Sequence, residues 1–177
     1  MVISVSRILT AYFSRAGENY FGGKMRFVKV GNTQIAADFI EKLLDTDIYK
    51  IEMENPYSEN YKTCVKEAVR DLKSGARPQI VNSPKSISNY DTVILAYPNY
   101  CGTVPCAVLT FLEKYDFSGK TILPLCTNEG SGLGRSVSDI EKACPGAEVK
   151  NGLSLNGSNV AFAKDDIEKW LKANNII

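Results

Sequence analysis

TVILAYPNYCG, Thr92 to Gly102, is the stretch on which the reading of this chain turns. Its first part, Thr92 to Tyr97, is near-continuously apolar, as a central strand covered on both faces of a parallel sheet should be. Pro98 ends the run, and Gly102 permits close backbone approach. Beyond it Val104, Val108, Phe111, Leu112 and Tyr115 recur at helical spacing, with Pro105 suited to a first turn. Strand, loop and helix thus form one unit, and the same unit recurs on either side.

Upstream, ILTAYF (Ile8 to Phe13) reads as a buried strand. After an irregular stretch, Ile35, Phe39, Ile40, Leu43 and Leu44 form an apolar helical stripe that Asn32 or Thr33 would cap. DIYKIEM (Asp47 to Met53) alternates as a strand, and Tyr57, Tyr61, Val65, Ala68 and Leu72 mark a helix ended by Gly75 and Pro78. Downstream, TILPLC (Thr121 to Cys126) is a fourth strand, and Leu133, Val137, Ile140 and Cys144 share one face of the next helix. AEVKNGLSL (Ala147 to Leu155) is a weaker fifth strand, and Ile167, Trp170 and Leu171 lie on the apolar face of a closing helix. This alternation predicts an α/β fold: a doubly wound, five-stranded parallel sheet with helices on both faces.

With 177 residues the expectation is a single domain. MVISVSRILTAYF at the start reads as an alternating lead into the first strand and lacks the signature of a signal peptide. Apolar residues fall in short runs, so no membrane span is expected. A formal charge of +1 argues against a dominant field for nucleic acid. The five cysteines, Cys64, Cys101, Cys106, Cys126 and Cys144, form no CxxC pair, which speaks against a disulfide framework or zinc site and for a reducing cytoplasm. The absence of histidine removes every histidine-based triad, dyad and metal motif.

Ligands of doubly wound sheets sit at the carboxyl ends of the strands. After the first strand, Ser14 and the later Gly31, Asn32 and Thr33 bracket residues rich in glycine, aromatic and basic side chains, as if one phosphate loop were split by an insertion. Small hydroxyl and amide groups beside a helix N-terminus can surround a phosphate, although the same residues are also ordinary helix caps. After the third strand, Tyr97 and Tyr100 offer planar faces to an aromatic ligand or simply pack. Cys101 reads as a reactive or an inert thiol, with no histidine to lower its pKa. After the fourth, CTNEGSGLGRS suits a backbone-lined pocket or a flexible turn, and Glu129 within it is an acid/base candidate or a solvated carboxylate.

Taken together, YFSRAGEN, GNT, YPNYCGTVP and CTNEGSG follow their strands in an order that closely resembles the flavodoxin-like FMN-binding family, in its branch with an insertion, about residues 18–30, inside the phosphate loop. The resemblance covers nearly the whole chain, including YDFSGKTI and ACPGA, and implies strand order 2-1-3-4-5. By the same resemblance Ser14, Asn32 and Thr33 hold the FMN phosphate, with Arg15, Ala16 and Gly17 completing that loop. Tyr97, Pro98, Asn99, Tyr100, Cys101 and Gly102 line one flavin edge, where Gly102 would turn a backbone carbonyl or N–H toward flavin N5. Thr127, Asn128, Glu129 and Gly130 reach the pyrimidine side.

The family often has threonine where Ala16 stands and tryptophans where Tyr100 and Cys101 stand, so the resemblance implies a lost hydroxyl contact and weaker stacking. FMN would carry the redox chemistry, and no side chain is assigned a catalytic role. The resemblance leaves three roles open: electron transfer with a redox partner protein, NAD(P)H-dependent reduction of a quinone or other small acceptor, and a flavodoxin fold that has lost FMN. For the second, the insertion GENYFGGKMRFVKV would cover the flavin and its Lys24, Arg26 and Lys29 would favour a nicotinamide phosphate, or else it is a solvated basic hairpin.

Overall fold

The computed structural model describes residues 7–177, so the alternating lead over residues 1–6 lies outside the described residues. In chain order the elements are β1 (Ile8–Tyr12), the hairpin β2 (Gly17–Phe21) and β3 (Lys24–Val28), α1 (Asn32–Leu43), β4 (Asp47–Lys50), β5 (Glu52–Met53), α2 (Tyr61–Ser74) and β6 (Ile80–Val81). Then follow β7 (Thr92–Pro98), α3 (Cys106–Lys114), β8 (Thr121–Asn128), α4 (Ser136–Ala143), β9 (Glu148–Val149) and β10 (Leu153–Asn156). A 3₁₀ turn (Gly157–Phe162) and α5 (Lys164–Ala173) complete the chain. The main sheet runs β4-β1-β7-β8-β10, all parallel, with β9 also on β8. This is the predicted order 2-1-3-4-5.

Side chains on a strand alternate between faces, and here both faces are buried. Leu9, Ala11, Val93, Leu95, Tyr97 and Ile122 enter one core with Val108, Phe111 and Leu112 of α3 and Ile140 of α4. Tyr12, Ile94, Ala96, Leu123 and Leu125 enter the other, under Ala36, Ala37 and Ile40 of α1 and Ile167, Trp170 and Leu171 of α5. Small residues on α1 bring its axis close to the sheet, which places its amino end against the ends of β1 and β8.

Two predicted strands divide. Beyond Tyr12 the first strand keeps only the bond from the Phe13 N–H to Ala96 on its other side, so after the Ile51 N–H donates to the Tyr12 carbonyl the second has no parallel neighbour; Glu52 and Met53 pair antiparallel with Val81 and Ile80 instead. The fifth strand breaks at a bulge. Ile122 and Leu125 of β8 pair with Val149 and Leu153, so the outer strand carries one residue more than its partner. The looped-out segment frees the Asn151 carbonyl to accept from Trp170 Nε1 at 3.2 Å.

The loops after β7 and β8 touch at Gly134. Its φ is +54°, and a Cβ there would lie 2.2 Å from the Gly102 carbonyl oxygen, to which the Arg135 N–H donates at 2.9 Å. Gly134→Ala should therefore cost about 2–4 kcal/mol, combining left-handed strain with a backbone clash. Urea unfolding checks this, and a loss below about 0.5 kcal/mol, the size of an ordinary surface effect, would contradict it.

Candidate functional site

A cleft of about 230 Å³ lies at the carboxyl ends of β1, β7 and β8, against the amino end of α1. Ser14, Arg15, Asn32, Thr33, Pro98, Asn99, Tyr100, Thr127, Asn128 and Glu129, all singled out in the sequence, line it together. Four lining residues were not: Asn19 and Tyr20 of the hairpin, Tyr61 of α2, and Ser131. Ser131 lies in the quoted CTNEGSG loop, and Tyr61 was counted into an apolar stripe. Asn19 and Tyr20 belong to the insertion, and the fold selects these two of its residues to line the cleft.

At the α1 end the donors are organised by the loop after β1. The N-cap is Gly31, without a side-chain cap of its own, so the expected capping by Asn32 or Thr33 is corrected. The Ser14 hydroxyl caps instead, accepting from the Gln34 N–H at 3.1 Å, which leaves its own hydrogen free. A Cβ at position 31 would fall 2.2 Å from Ser14 Oγ and 2.7 Å from the Arg15 carbonyl, so glycine is what lets the loop close on the helix. Thr33 and Thr127 share a hydrogen bond, Oγ1 to Oγ1, at 2.8 Å; one donates, and the other keeps a free hydrogen. The N–H groups of Asn32 and Thr33, in the first turn, have no carbonyl one turn back. This end suits an anion.

Arg15 adds backbone here and not charge. Its guanidinium donates to the carbonyls of Glu18, Ser58 and Glu59 and to Asn19 Oδ1, at 2.7–3.1 Å, clamping the hairpin to the segment before α2. The Glu18 carboxylate accepts from the Tyr61 N–H at 2.9 Å and from Asn60 Nδ2 at 3.0 Å, at the start of α2. At the hairpin tip the Gly22 N–H donates to Glu129 Oε2 at 3.1 Å. The hairpin is thus a strap from one wall of the cleft to the other.

The far end is built by two asparagines. The Asn99 side chain accepts from the Gly102 N–H and donates to the Gly132 carbonyl, while Asn128 Oδ1 accepts from the N–H groups of Gly130 and Gly132. Their amides are spent on holding the loops. Two acceptors remain buried and unpartnered, Asn32 Oδ1 and Glu129 Oε1. Their side chains meet at Gly157, where a Cβ would lie 2.4 Å from Asn32 Nδ2 and 2.8 Å from Glu129 Oε1. A buried polar atom left unpaired costs about 1–3 kcal/mol, which a donor-bearing ligand would offset.

Tyr100 lines the cleft and also packs: its ring meets Phe13 edge-on at 5.8 Å and Tyr57 at 6.3 Å, and its hydroxyl lies 3.8 Å from Cys64 Sγ. Burial holds its phenol well above the usual pKa. Tyr97 offers no face to the cleft. It is fully buried beneath α4, its hydroxyl 2.9 Å from that of Ser136.

The remaining sequence candidates surround the cleft without lining it. Cys101 (φ +54°) and Gly102 (φ +82°) form the centre of a two-residue turn closed by Tyr100 and Thr103. Both backbone groups of Gly102 are engaged, the N–H with Asn99 and the carbonyl with Arg135, so the group expected to face a ring nitrogen is already bonded to protein. Gly17 pairs with Val28 in the hairpin, Ala16 lines a neighbouring cavity beside Phe13 and Tyr57, and Gly130 is exposed.

All five thiols are free, and Cys101 alone is exposed. Partial burial of its sulfur pushes its pKa above the usual 9.0 against the smaller opposing pull of Arg135, so the thiolate is scarce near neutral pH. A thiol-specific disulfide reagent should therefore titrate one cysteine in the native protein, at a rate still climbing above pH 9. A plateau below pH 8 would mean an activated thiolate.

The flavodoxin family model matches residues 24–174. No curated protein is similar to the chain in sequence at a significant level. Among solved structures, a Bacteroides eggerthii protein classed as a flavoprotein shares 27% identity at a TM-score of 0.74, over 98% of this chain and 100% of that one. A second, from Bacteroides uniformis, shares 24% at 0.71, over 94% and 98%. A flavoprotein of Lactobacillus acidophilus in complex with FMN has the same fold at 16% identity and a TM-score of 0.63, over 88% and 97%. The match over most of the length, on a sheet of order 2-1-3-4-5 with its cleft at the strand ends, means that this chain belongs to the flavodoxin family.

Proposed function

We propose that the cleft holds FMN and that the protein works in electron transfer. The observation that carries this reading is the order of chemistry along the cleft. Free helix N–H groups and the Ser14 hydroxyl lie at one end, the orphaned Asn32 and Glu129 acceptors beside them, and Tyr100, Tyr20 and Tyr61 around the rest. The donors suit the phosphate, the acceptors suit ribityl hydroxyls, and the aromatic rings suit the isoalloxazine faces. Ala16 lies outside the cleft, so a methyl there removes no donor from it.

FMN would supply the acceptance and release of electrons, which no side chain here can do alone. The protein's own contribution is to orient and enclose. Asn99 and Asn128 stiffen the two loops, the Thr33–Thr127 bond ties α1 to β8, and the hairpin limits access of water. Five free thiols suit a reducing compartment, and a cytoplasmic location is part of the proposal. No helix among the described residues is long and apolar enough to cross a membrane.

One observation favours a second reading, an FMN-dependent NAD(P)H reductase. Lys24 and Arg26 lie on the strap and Lys29 just after it, without an acidic partner among the described residues, where a nucleotide phosphate could reach them.

Flavin fluorescence titration tests the cofactor, and saturable FMN binding is expected. Ser14→Ala should weaken FMN about tenfold, the value of one hydrogen bond to a charged group, and riboflavin much less. Equal loss for both flavins would remove Ser14 from the phosphate, and no binding of either would overturn the proposal. Anaerobic mixing of the FMN-loaded protein with NADH or NADPH separates the two roles: slow bleaching is expected of the carrier, and rapid bleaching by nucleotide alone would select the reductase.

A further inference from the structure

We propose that the outer face of α2 is the docking surface for an acidic redox protein, an inference that rests on the flavin reading of the cleft. The helix has two chemically distinct sides. Inward, Tyr61 lines the cleft and Cys64 touches Tyr100, while Asp71 is buried and accepts from the Tyr57 hydroxyl at 2.8 Å. Outward, Lys62, Lys66, Val69 and Lys73 fall at spacings of four, three and four and form one stripe, flanked by Val65 and Arg70.

Val65 is 38% exposed, large for an aliphatic side chain with nothing over it. With Val69 it floors a shallow groove edged by Lys66, Arg70 and Lys73. Among the described residues, Lys62, Lys66 and Lys73 have no acidic partner, and Arg70 pairs only with the neighbouring Asp71. The helix carries four cations against two carboxylates, in a chain whose total is +1. Both carboxylates are engaged inward or at the loop, Glu67 accepting from the Ser58 N–H and Asp71 from Tyr57.

An apolar floor with a cationic rim, in which the lysines have no acidic partner among the described residues and Arg70 alone is paired, is the arrangement that steers and seats an acidic protein surface. Its place in the fold identifies the kind of protein. The middle of the groove, at Val69, lies about 12 Å along the helix from Tyr61 on the cleft wall and about one helix diameter, ~10 Å, across it, so a redox centre near the partner's surface would be held within electron-transfer reach of the flavin. A nucleic acid would use the cations and leave the valines without a role.

The test uses a plant-type [2Fe–2S] ferredoxin, a strongly acidic redox protein, as the probe. Titrating it into the isotope-labelled chain should shift amide resonances over residues 61–74, and raising salt from about 20 to about 300 mM should reverse the shifts. Lys62→Glu/Lys66→Glu/Lys73→Glu should weaken binding at least about tenfold, with FMN affinity unchanged. The control Lys164→Glu/Lys169→Glu, on α5 of the opposite face, should bind as the parent does. Shifts that map elsewhere, equal losses in both variants, or tighter binding of a DNA duplex by the same residues would overturn the proposal. The amide readout does not require bound flavin, so a failure to bind FMN is registered separately.

Discussion

Burial of β7 on both faces is the constraint from which the rest of the structure follows. A strand with Val93, Ile94, Leu95, Ala96 and Tyr97 all inaccessible needs a strand on each edge and a helical layer on each side. With parallel neighbours, every strand delivers its following loop to the same end of the sheet. The cleft is therefore a product of topology, and the loops after β1, β7 and β8 meet there because those strands are adjacent.

What makes the cleft specific is the division of labour among its polar groups. Asn99 and Asn128 use their amides on neighbouring backbone, and Arg15 uses its guanidinium on carbonyls around the hairpin. These bonds hold irregular chain in place without regular secondary structure. The groups left over are the ones available to a ligand: helix N–H donors, hydroxyl hydrogens and two buried acceptors. Glu129 stands on both sides of this division, with one oxygen latching the hairpin tip and the other unpartnered. In α2 the same economy separates an inner wall of the cleft from an outer face of cations.

The fold was legible because strand and helix periods are local. The parallel sheet and ten residues of the cleft lining were read from runs such as TVILAY, GNT and CTNEGSG, and the strand order from the family resemblance those runs carry. Tyr97 was misread for a definite reason. In a run apolar at every position, sequence does not reveal which parity faces which layer, and Tyr97 falls with Leu95 and Val93 in the α3–α4 core, away from the cleft. The divided strands were missed because they depend on where a partner strand stops, as at Tyr12, or carries one residue fewer, as in β8.

By itself, then, the sequence determined the α/β class, the family likeness and the small hydroxyl and amide residues at the strand ends, since spacing and residue type encode these within short windows. Only the tertiary structure decided that Arg15 is a clamp, that Ser14 caps a helix 18 residues further on, and that the insertion is a strap ending on Glu129. Each of those contacts joins segments far apart in the chain, and hydrogen-bond partners at that separation are chosen by the packing of the sheet and its helices.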